Sequence, residues 1–351
     1  MSAAAWLPAG DPGLGWVAPQ PVERGPGEIR LERFPAAVAQ LLAGQIGPLA
    51  NLRSSPGCGV RLRTDSPWVA LRLARLRHHQ PIAQSVAIEI HAADGVRTAD
   101  SGDLREFEGD HEVRLPTGLE RGGACADVAL WLPPVATCAI AGVGVAEGSR
   151  TLPVDEALPR LLCLGDSLVQ GFSCASPLHT WPHRVASGVG HWNLGVGGLR
   201  IEPEAFAWAF DAQPWEACII GLGSNMAWHA ADLDRVAETG AAFARRACAS
   251  RARRVLWLIP PWKPCEDGKG PGEFMGLRLD AEQGRRFGLC RQVLREALAA
   301  FAPRLELVEA PPPRDHRFYP DGLHPFAPGF AAIARAITAT LADGPVPGTD
   351  P

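Results

Sequence analysis

The sequence predicts an α/β protein with a parallel sheet, preceded by an all-β sandwich of the jelly-roll type. Two observations lead to this fold class. Short segments of alternating apolar and polar residues fill positions 58–145, and continuous apolar runs alternate with helical stretches after position 159. Period-two alternation is typical of antiparallel strands, whereas apolar runs between helices indicate buried parallel strands. A length of 351 residues is sufficient for two domains, each with its own core.

The N-terminal part predicts six antiparallel strands separated by turn residues such as Asp94 and Gly95. The strands are 59–63, 68–73, 86–90, 111–115, 128–132 and 139–145. The Pro- and Gly-rich residues before Cys58 predict no definite element. Residues 147–159 contain Gly, Ser, prolines and charges, which is typical of a linker. We therefore predict an accessory sandwich domain over residues 1–150 and a second domain over residues 151–351.

The sequence of the second domain predicts a doubly wound parallel sheet with helices between its strands. The predicted strands are 161–164, 192–194, 217–222, 255–259 and 305–308, and the clearest helices are 232–250 and 283–301. Because ligands of such sheets bind beyond the carboxyl ends of the strands, we expect functional residues immediately after these apolar runs.

Composition and charge argue against several classes of function. The net charge is −4 and the arginines are dispersed, so nucleic acid is not expected as a partner. No apolar run approaches the roughly 20 residues of a membrane span, and the N-terminus lacks the basic start of a secretory signal. Nine cysteines without a Cys-x-x-Cys pair indicate neither a disulfide framework nor a zinc site. We predict a cytoplasmic protein without a metal or cofactor.

Ser167 follows the predicted strand 161–164 directly, at a position suited to a nucleophile. The local sequence is Gly165-Asp166-Ser167-Leu168, and Val169 stands where the Gly-x-Ser-x-Gly turn of α/β-hydrolases has its last glycine. A capping turn between a strand and a helix would use the same residue types. The motif taken alone is therefore compatible with a purely structural role.

A histidine with an orienting carboxylate follows the last predicted strand. The sequence is Tyr319-Pro-Asp321-Gly-Leu-His324. A serine hydroxyl is a poor nucleophile without a base, and a carboxylate three residues before a histidine can bind one ring nitrogen and leave the other for the serine. We predict that His324 accepts the Ser167 proton and that Asp321 holds the imidazole tautomer.

Candidate oxyanion donors follow the two strands between these motifs. They lie in Asn193-Leu-Gly195-Val-Gly197-Gly198 and in Gly221-Leu-Gly223-Ser-Asn225. A glycine lets a backbone N–H approach a substrate closely, and an asparagine amide is a neutral donor. Either segment alone could be an ordinary turn, but both stand at predicted strand ends, in order, with Ser167 and His324.

These four blocks resemble the SGNH/GDSL hydrolase superfamily from about Leu161 onward. The matching residues are Gly165 to Leu168, Asn193, Gly195, Gly198, Gly223, Asn225, Asp321 and His324. The resemblance implies a three-layer α/β/α flavodoxin-like fold with Ser167 as nucleophile and oxyanion donor. It implies further that the Gly198 N–H and the Asn225 side chain are the other donors. Met226 replaces the acidic residue that often follows the third block, so this loop gives no guide to the substrate.

The sandwich, through residues 60–71, and Thr180-Trp181-Pro182 resemble the two-domain branch with an N-terminal jelly roll, which includes carbohydrate esterases and metabolite acyltransferases. We therefore expect an esterase or deacylase that acts on an acylated small molecule or carbohydrate through acyl-Ser167. The alternatives are an acyltransferase that moves an acyl group from an ester or thioester to a metabolite hydroxyl, and a non-catalytic glycan- or metabolite-binding protein. The expected partners are an acyl ester or thioester and, for a transferase, an acceptor alcohol or sugar. The sequence predicts no oligomeric state.

The loop 260–276 follows the fourth strand of the predicted sheet and contains both lysines of the chain, Lys263 and Lys269. Its length and its Gly and Pro content suit a mobile lid over the site. A disordered surface insertion explains the same composition equally well.

Overall fold

The computed structural model describes residues 3–8, 11–20, 23–25, 28–46, 52–154, 159–186, 190–310 and 314–343. The chain divides into two compact units. The first contains residues 1–43, 48–158 and 174–178, and the second contains 44–47, 159–173 and 179–351. In the described parts of the chain, no helix has the length and apolar character needed to cross a membrane.

The first unit is built on two antiparallel sheets. Its strands are β1 (Ala4–Leu7), β2 (Leu14–Val17), β3 (Glu23–Gly25), β4 (Glu28–Arg30), β5 (Gly59–Thr64), β6 (Trp68–His78), β7 (Ala87–Ala92), β8 (Gly95–Asp100), β9 (Phe107–Pro116), β10 (Ala126–Trp131), β11 (Ala136–Ala146) and β12 (Thr151–Leu152), with helix α1 (Ala36–Ile46). One sheet has the order β3-β4-β11-β6-β9, with β1 also on β11. The other has the order β12-β5-β10-β7-β8, with β2 also on β5.

Side chains from both sheets form one apolar core. Leu62 of β5 and Leu71 of β6 are fully buried in it, although they belong to different sheets. Alternation along each strand places these residues inward and the polar residues between them outward. The predicted β sandwich is thereby confirmed. The pairing of β12 with β5 extends the sandwich beyond residue 150, and the division of the chain at residues 150 and 151 stays a prediction.

The second unit contains the predicted parallel sheet. Its strands are β13 (Leu161–Gly165), β14 (His191–Gly195), β15 (Ala217–Gly221), β16 (Arg254–Leu258) and β19 (Leu305–Val308). The spatial order β14-β13-β15-β16-β19 is the order 2-1-3-4-5 of flavodoxin-like sheets. The topological switch point lies beside β13, the strand that precedes Ser167. The predicted α/β fold class is confirmed.

Helices flank this sheet, and a separate two-stranded hairpin follows β16 in the chain. The helices are α2 (Ser167–Gln170), α3 (Trp181–Val185), α4 (Ala207–Phe210), α5 (Ala230–Leu233), α6 (Val236–Ala249), α7 (Ala281–Ala299) and α8 (Ala327–Asp343). The hairpin consists of β17 (Glu273–Phe274) and β18 (Leu277–Arg278). The longer helices bury one face each, as Phe243 of α6 and Leu294 of α7 show.

Glycine ends three neighbouring strands of the parallel sheet because α2 packs directly on their ends. A Cβ atom on Gly195 would lie 2.1 Å from the backbone nitrogen of Gln170, and one on Gly165 would lie 2.2 Å from Cγ2 of Val169. A Cβ atom on Gly221 would lie 2.6 Å from the same Val169 atom. Only hydrogen fits at these positions, so the strand ends and the helix that begins at Ser167 form one closely packed unit.

We expect Gly195→Ala to destabilise the protein strongly because the added methyl group meets backbone that cannot move without displacing α2. The expected loss of unfolding free energy is about 3 kcal/mol or more. Urea unfolding followed by circular dichroism measures it. Gly272→Ala is the matched control, since a Cβ atom there meets nothing within 4 Å, and its expected effect is close to zero. Equal midpoints for the two variants would contradict this account of the glycine.

Candidate active site

Ser167 is the first residue of α2, directly beyond the end of β13. Asp166 is the N-cap, with extended backbone and a side chain that accepts a hydrogen bond of 3.0 Å from the Leu168 N–H. Gly171 ends the helix in the left-handed conformation and donates its N–H to the Ser167 carbonyl. The capping role that the sequence suggested therefore belongs to Asp166. It leaves the Ser167 hydroxyl available for other partners.

The structure brings Ser167, His324 and Asp321 together in one hydrogen-bonded chain. His324 Nε2 lies 2.7 Å from Ser167 Oγ, and His324 Nδ1 lies 2.7 Å from Asp321 Oδ2. Because the carboxylate only accepts, Nδ1 carries a proton and Nε2 is the acceptor for the serine proton when the imidazole is neutral. This is the arrangement in which a serine hydroxyl is activated as a nucleophile.

Local hydrogen bonds hold the Asp321 carboxylate in place. Its Oδ1 accepts from the backbone N–H groups of Leu323 and His324, at 2.9 and 2.8 Å. Burial by itself raises the pKa of Asp321, but the charge of His324 and these hydrogen bonds outweigh burial and lower the pKa to about 2. The carboxylate is therefore ionised at neutral pH and can stabilise a protonated imidazole.

Ser173 adds a fourth donor to this carboxylate, after the two backbone N–H groups and His324 Nδ1. Its hydroxyl donates to Asp321 Oδ2 at 3.4 Å, and its backbone has φ 71°, in the region that L-residues seldom adopt. Such strain is uncommon outside turns and functional sites. This contact was not predictable from the sequence, because Ser173 and Asp321 are 148 residues apart.

Two of the three predicted oxyanion donors, Gly198 and Asn225, lie on loops that bond to each other. Asn225 Nδ2 donates to the carbonyl of Leu199 at 3.0 Å, next to Gly198 in the chain. Gly198 is exposed, has φ 81°, and would meet nothing within 4 Å if it carried a Cβ atom, so its backbone borders open space. The Val196 N–H donates to the Gly165 carbonyl at 2.9 Å, which ties the same loop to the strand before Ser167.

Two polar side chains that the sequence did not single out support these loops. Gln170 is fully buried in α2, and its Oε1 accepts the Gly197 N–H at 2.8 Å. Trp228 donates its indole N–H to Asn225 Oδ1 at 3.2 Å. An indole nitrogen only donates, so the atom facing it must be the amide oxygen. Trp228 thereby fixes the orientation of the Asn225 amide, with Nδ2 as the atom that donates to the Leu199 carbonyl.

With Asn225 in its predicted role as an oxyanion donor, we expect Trp228→Phe to lower kcat about tenfold, with little change in KM, because Asn225 would lose its fixed orientation. This loss is smaller than the roughly 100- to 1,000-fold loss typical of deleting an oxyanion donor. Phenylalanine retains a ring against Phe287, which now packs edge-on at 5.3 Å. Steady-state kinetics of Trp228→Phe, Asn225→Ala and the double variant measure the effect. If Trp228→Phe lowered kcat by the same factor in the Asn225→Ala variant, Trp228 would act through a group other than Asn225.

A buried lysine lies under the loop that contains His324. Lys263 is 2% exposed, and its Nζ donates to the Leu323 carbonyl at 2.7 Å. Burial lowers its pKa, while the charges of Asp166, Asp321 and Glu266 act in the opposite direction. Burial also raises the pKa of Asp166 to about 6, against the Leu168 hydrogen bond and the charges of Lys263 and His324. Lys263 thus ties the loop 260–276 to the predicted catalytic loop.

The remainder of that loop has two distinct parts. A 3₁₀ turn over Pro264–Asp267 is fixed to α7 by the ion pair of Glu266 with Arg291, in which one bond is 2.7 Å. The hairpin of β17 and β18 follows, with Phe274 partly buried and Met275 78% exposed. Lys263 and the 3₁₀ turn attach the first part of the loop to its surroundings, and the motion of a lid stays a prediction for the hairpin.

Two aromatic rings lie close to the imidazole of His324. The Phe172 ring centroid lies 4.5 Å from that of His324, and the Phe274 centroid lies 5.6 Å from it. His324 itself is 5% exposed. The predicted base is therefore bordered by apolar surface. Among the residues described, no group of three or more His, Cys, Asp or Glu side chains is arranged to hold a metal ion.

Residues 163–332, which include the three residues of the hydrogen-bonded chain, match the GDSL-like Lipase/Acylhydrolase family. No curated protein matches the sequence. Several solved structures share the fold over nearly the whole chain, although their sequence identity is low.

The salicylyl-acyltransferase SsfX3 from a tetracycline biosynthetic pathway is 20% identical, with a TM-score of 0.71 over 98% of this chain and 99% of that one. A protein described as a GDSL-like lipase from Bacteroides ovatus is 15% identical, with a TM-score of 0.69 over 97% of both chains. A family two carbohydrate esterase from Cellvibrio japonicus is 13% identical, with a TM-score of 0.58 over 97% and 98%. At these identities, the similarity establishes a common fold.

Proposed function

Because residues 163–332 form a GDSL-like lipase/acylhydrolase domain, we propose that the chain is a serine esterase or deacylase acting on an acylated small molecule or carbohydrate. The observation that carries the proposal is the chain of two 2.7 Å hydrogen bonds from Asp321 through His324 to Ser167. These three residues are the proposed catalytic residues. The proposed oxyanion donors are the Ser167 and Gly198 N–H groups and the Asn225 side chain.

In the first half-reaction, Ser167 Oγ attacks the acyl carbon while His324 Nε2 takes the hydroxyl proton. The carbonyl oxygen becomes an oxyanion, and the three proposed donors stabilise its charge. His324 then gives the proton to the oxygen of the leaving alcohol or to the sulfur of a leaving thiol. The bond between the acyl carbon and that oxygen or sulfur breaks. The products are the free alcohol or thiol and acyl-Ser167. Asp321 stays ionised and stabilises the imidazolium.

The second half-reaction decides between an esterase and a transferase. Water gives a carboxylic acid, whereas an acceptor alcohol or sugar gives a new ester, and either regenerates Ser167. Transfer from an ester or thioester to a hydroxyl of a secondary metabolite is the second candidate function. The apolar rings of Phe172 and Phe274 beside His324 favour it, because they offer no hydrogen bond to an attacking water.

We assign catalysis to residues 151–351 and an accessory role to the sandwich of residues 1–150. The ester or thioester substrate and the acceptor are the proposed partners. The nine cysteines are odd in number and dispersed along the chain, and all of them are free thiols in the structure. This accords with the predicted cytoplasmic location.

Labelling with a fluorophosphonate, followed by peptide mass spectrometry, tests the proposal. We expect one adduct per chain, on Ser167, and loss of p-nitrophenyl acetate hydrolysis in parallel with labelling. Ser173 provides an internal control because it lies in the same segment as Ser167 and its hydroxyl donates to the Asp321 carboxylate. An adduct on Ser173 alone, or full hydrolysis after labelling elsewhere, would overturn the assignment. Absence of both labelling and hydrolysis would support the non-catalytic binding protein instead.

A further inference from the structure

The two phenylalanine rings beside His324 come from different parts of the second unit. Phe172 follows α2 by two residues and is 8% exposed, whereas Phe274 ends β17 in the hairpin and is more accessible. Their centroids are 6.0 Å apart, and the rings meet edge to face at 80°. Together with the imidazole they form an aromatic cluster, defined here as Phe172, Phe274 and His324.

The proposed mechanism determines which part of a substrate meets this cluster. His324 Nε2 exchanges the proton with the leaving or attacking oxygen, so that oxygen lies within hydrogen-bond distance of Nε2. The acyl oxygen, in contrast, points toward Gly198 and Asn225. The carbon skeleton of the alcohol therefore extends from a point next to His324, where the nearest rings are Phe172 and Phe274.

The chemistry of the cluster is apolar. Phenylalanine rings neither donate nor accept ordinary hydrogen bonds, and they pair favourably with other flat rings in offset or edge-to-face geometry. A sugar hydroxyl placed there would lose bonds to water without replacing them. An aromatic or similarly flat apolar group would replace water contacts with ring contacts.

Resting on the function proposed above, we propose that the alcohol side of this site takes an arylmethyl alcohol or a similarly flat apolar alcohol, and that Phe274 determines this preference. The step is a simple exchange. The alcohol oxygen bonds to the acyl carbon of acyl-Ser167, His324 takes the alcohol proton, the bond from carbon to Ser167 Oγ breaks, and the same proton returns to Oγ.

Phe274 and the next residue, Met275, lie in the same hairpin but have different surroundings. Phe274 pairs with Leu277 across the hairpin, and its ring contacts both Phe172 and His324. Met275, the next residue, is 78% exposed. Met275→Ala is therefore a matched control in the same two-stranded element.

The test is acyl partitioning. The protein is supplied with p-nitrophenyl acetate and, in separate reactions, with equal concentrations of benzyl alcohol, ethanol or methyl β-glucoside. Release of p-nitrophenolate reports formation of acetyl-Ser167, and chromatography measures the new acetate ester against free acetate. We expect benzyl alcohol to capture the acetyl group about tenfold more efficiently than ethanol or the glucoside.

The variants decide whether the cluster causes the preference. Phe274→Ala is expected to lower the preference for benzyl alcohol about tenfold, and Phe274→Leu, which retains apolar volume, to lower it partly. Met275→Ala is expected to retain it. Normal acetylation of Ser167 without a preference for benzyl alcohol, or with a preference unchanged in both Phe274 variants, would overturn this inference and leave the proposed function intact. Absence of acetyl-Ser167 would overturn both.

Discussion

Ser167→Ala is expected to lower kcat/KM for ester hydrolysis by about 10⁴- to 10⁶-fold, because no other group can form the acyl intermediate at that position. The alanine retains the backbone N–H that is proposed to face the oxyanion. The residual rate should therefore come from binding and from the remaining donors. Hydrolysis of p-nitrophenyl acetate by highly purified protein measures the loss.

The folded state should tolerate this change. The Ser167 side chain bonds to His324, whereas the capping of α2 depends on Asp166. We therefore expect an unchanged circular dichroism spectrum and a similar melting temperature. Ser250→Ala, at the end of α6, is the control for a serine away from the site and should retain activity. Activity of Ser167→Ala within tenfold of the parent protein would exclude Ser167 as nucleophile.

His324→Ala should lower kcat/KM to a similar extent, about 10⁴-fold or more, because the serine would lose its proton acceptor. Ser167 and His324 act as one unit, so the double variant should be no slower than either single variant. His316→Ala is the matched control. That histidine lies on the same loop but has a half-exposed side chain that faces solvent. A double variant whose loss is the product of the two single losses would show that the residues act independently.

Much of the fold followed from hydrophobic periodicity. The predicted strand 305–308 coincides with β19, and the runs at 161–164 and 192–194 fall within β13 and β14. Continuous apolar runs that alternate with helices indicate buried parallel strands. The strand β8 was missed because its residues alternate only between exposed and partly buried positions, so the sequence there carries little apolar signal.

The residues before Cys58 show a second limit of sequence reasoning. They contain β1, β2 and β4. In the sandwich sheets, β1 and β4 pair with the long strand β11, and β2 pairs with β5. Each has only three or four residues, which is too short for a period to be recognised. Their place in the sheets is set by pairing partners more than 40 residues away, such as Val143 opposite Leu7. Local propensity contains no information about such partners.

The predicted site residues were recognisable because their types and order are constrained by chemistry. Their supporting residues were not. Gln170 and Trp228 have no local feature that separates them from ordinary polar and aromatic residues, and their importance lies in contacts with Gly197 and Asn225. Lys263 is a similar case, since a lysine in a Gly- and Pro-rich loop suggests solvent exposure, whereas the side chain is buried against the Leu323 carbonyl.

The hydrogen bond between Ser167 and His324 joins residues that are 157 positions apart. Closing so long a segment costs chain entropy before any contact repays it, and topologies dominated by distant contacts fold slowly. Neither the sandwich nor any single strand-helix repeat of the sheet holds both groups. Recovery of ester turnover during refolding should therefore lag behind recovery of secondary structure, which makes catalysis a late marker of the native state.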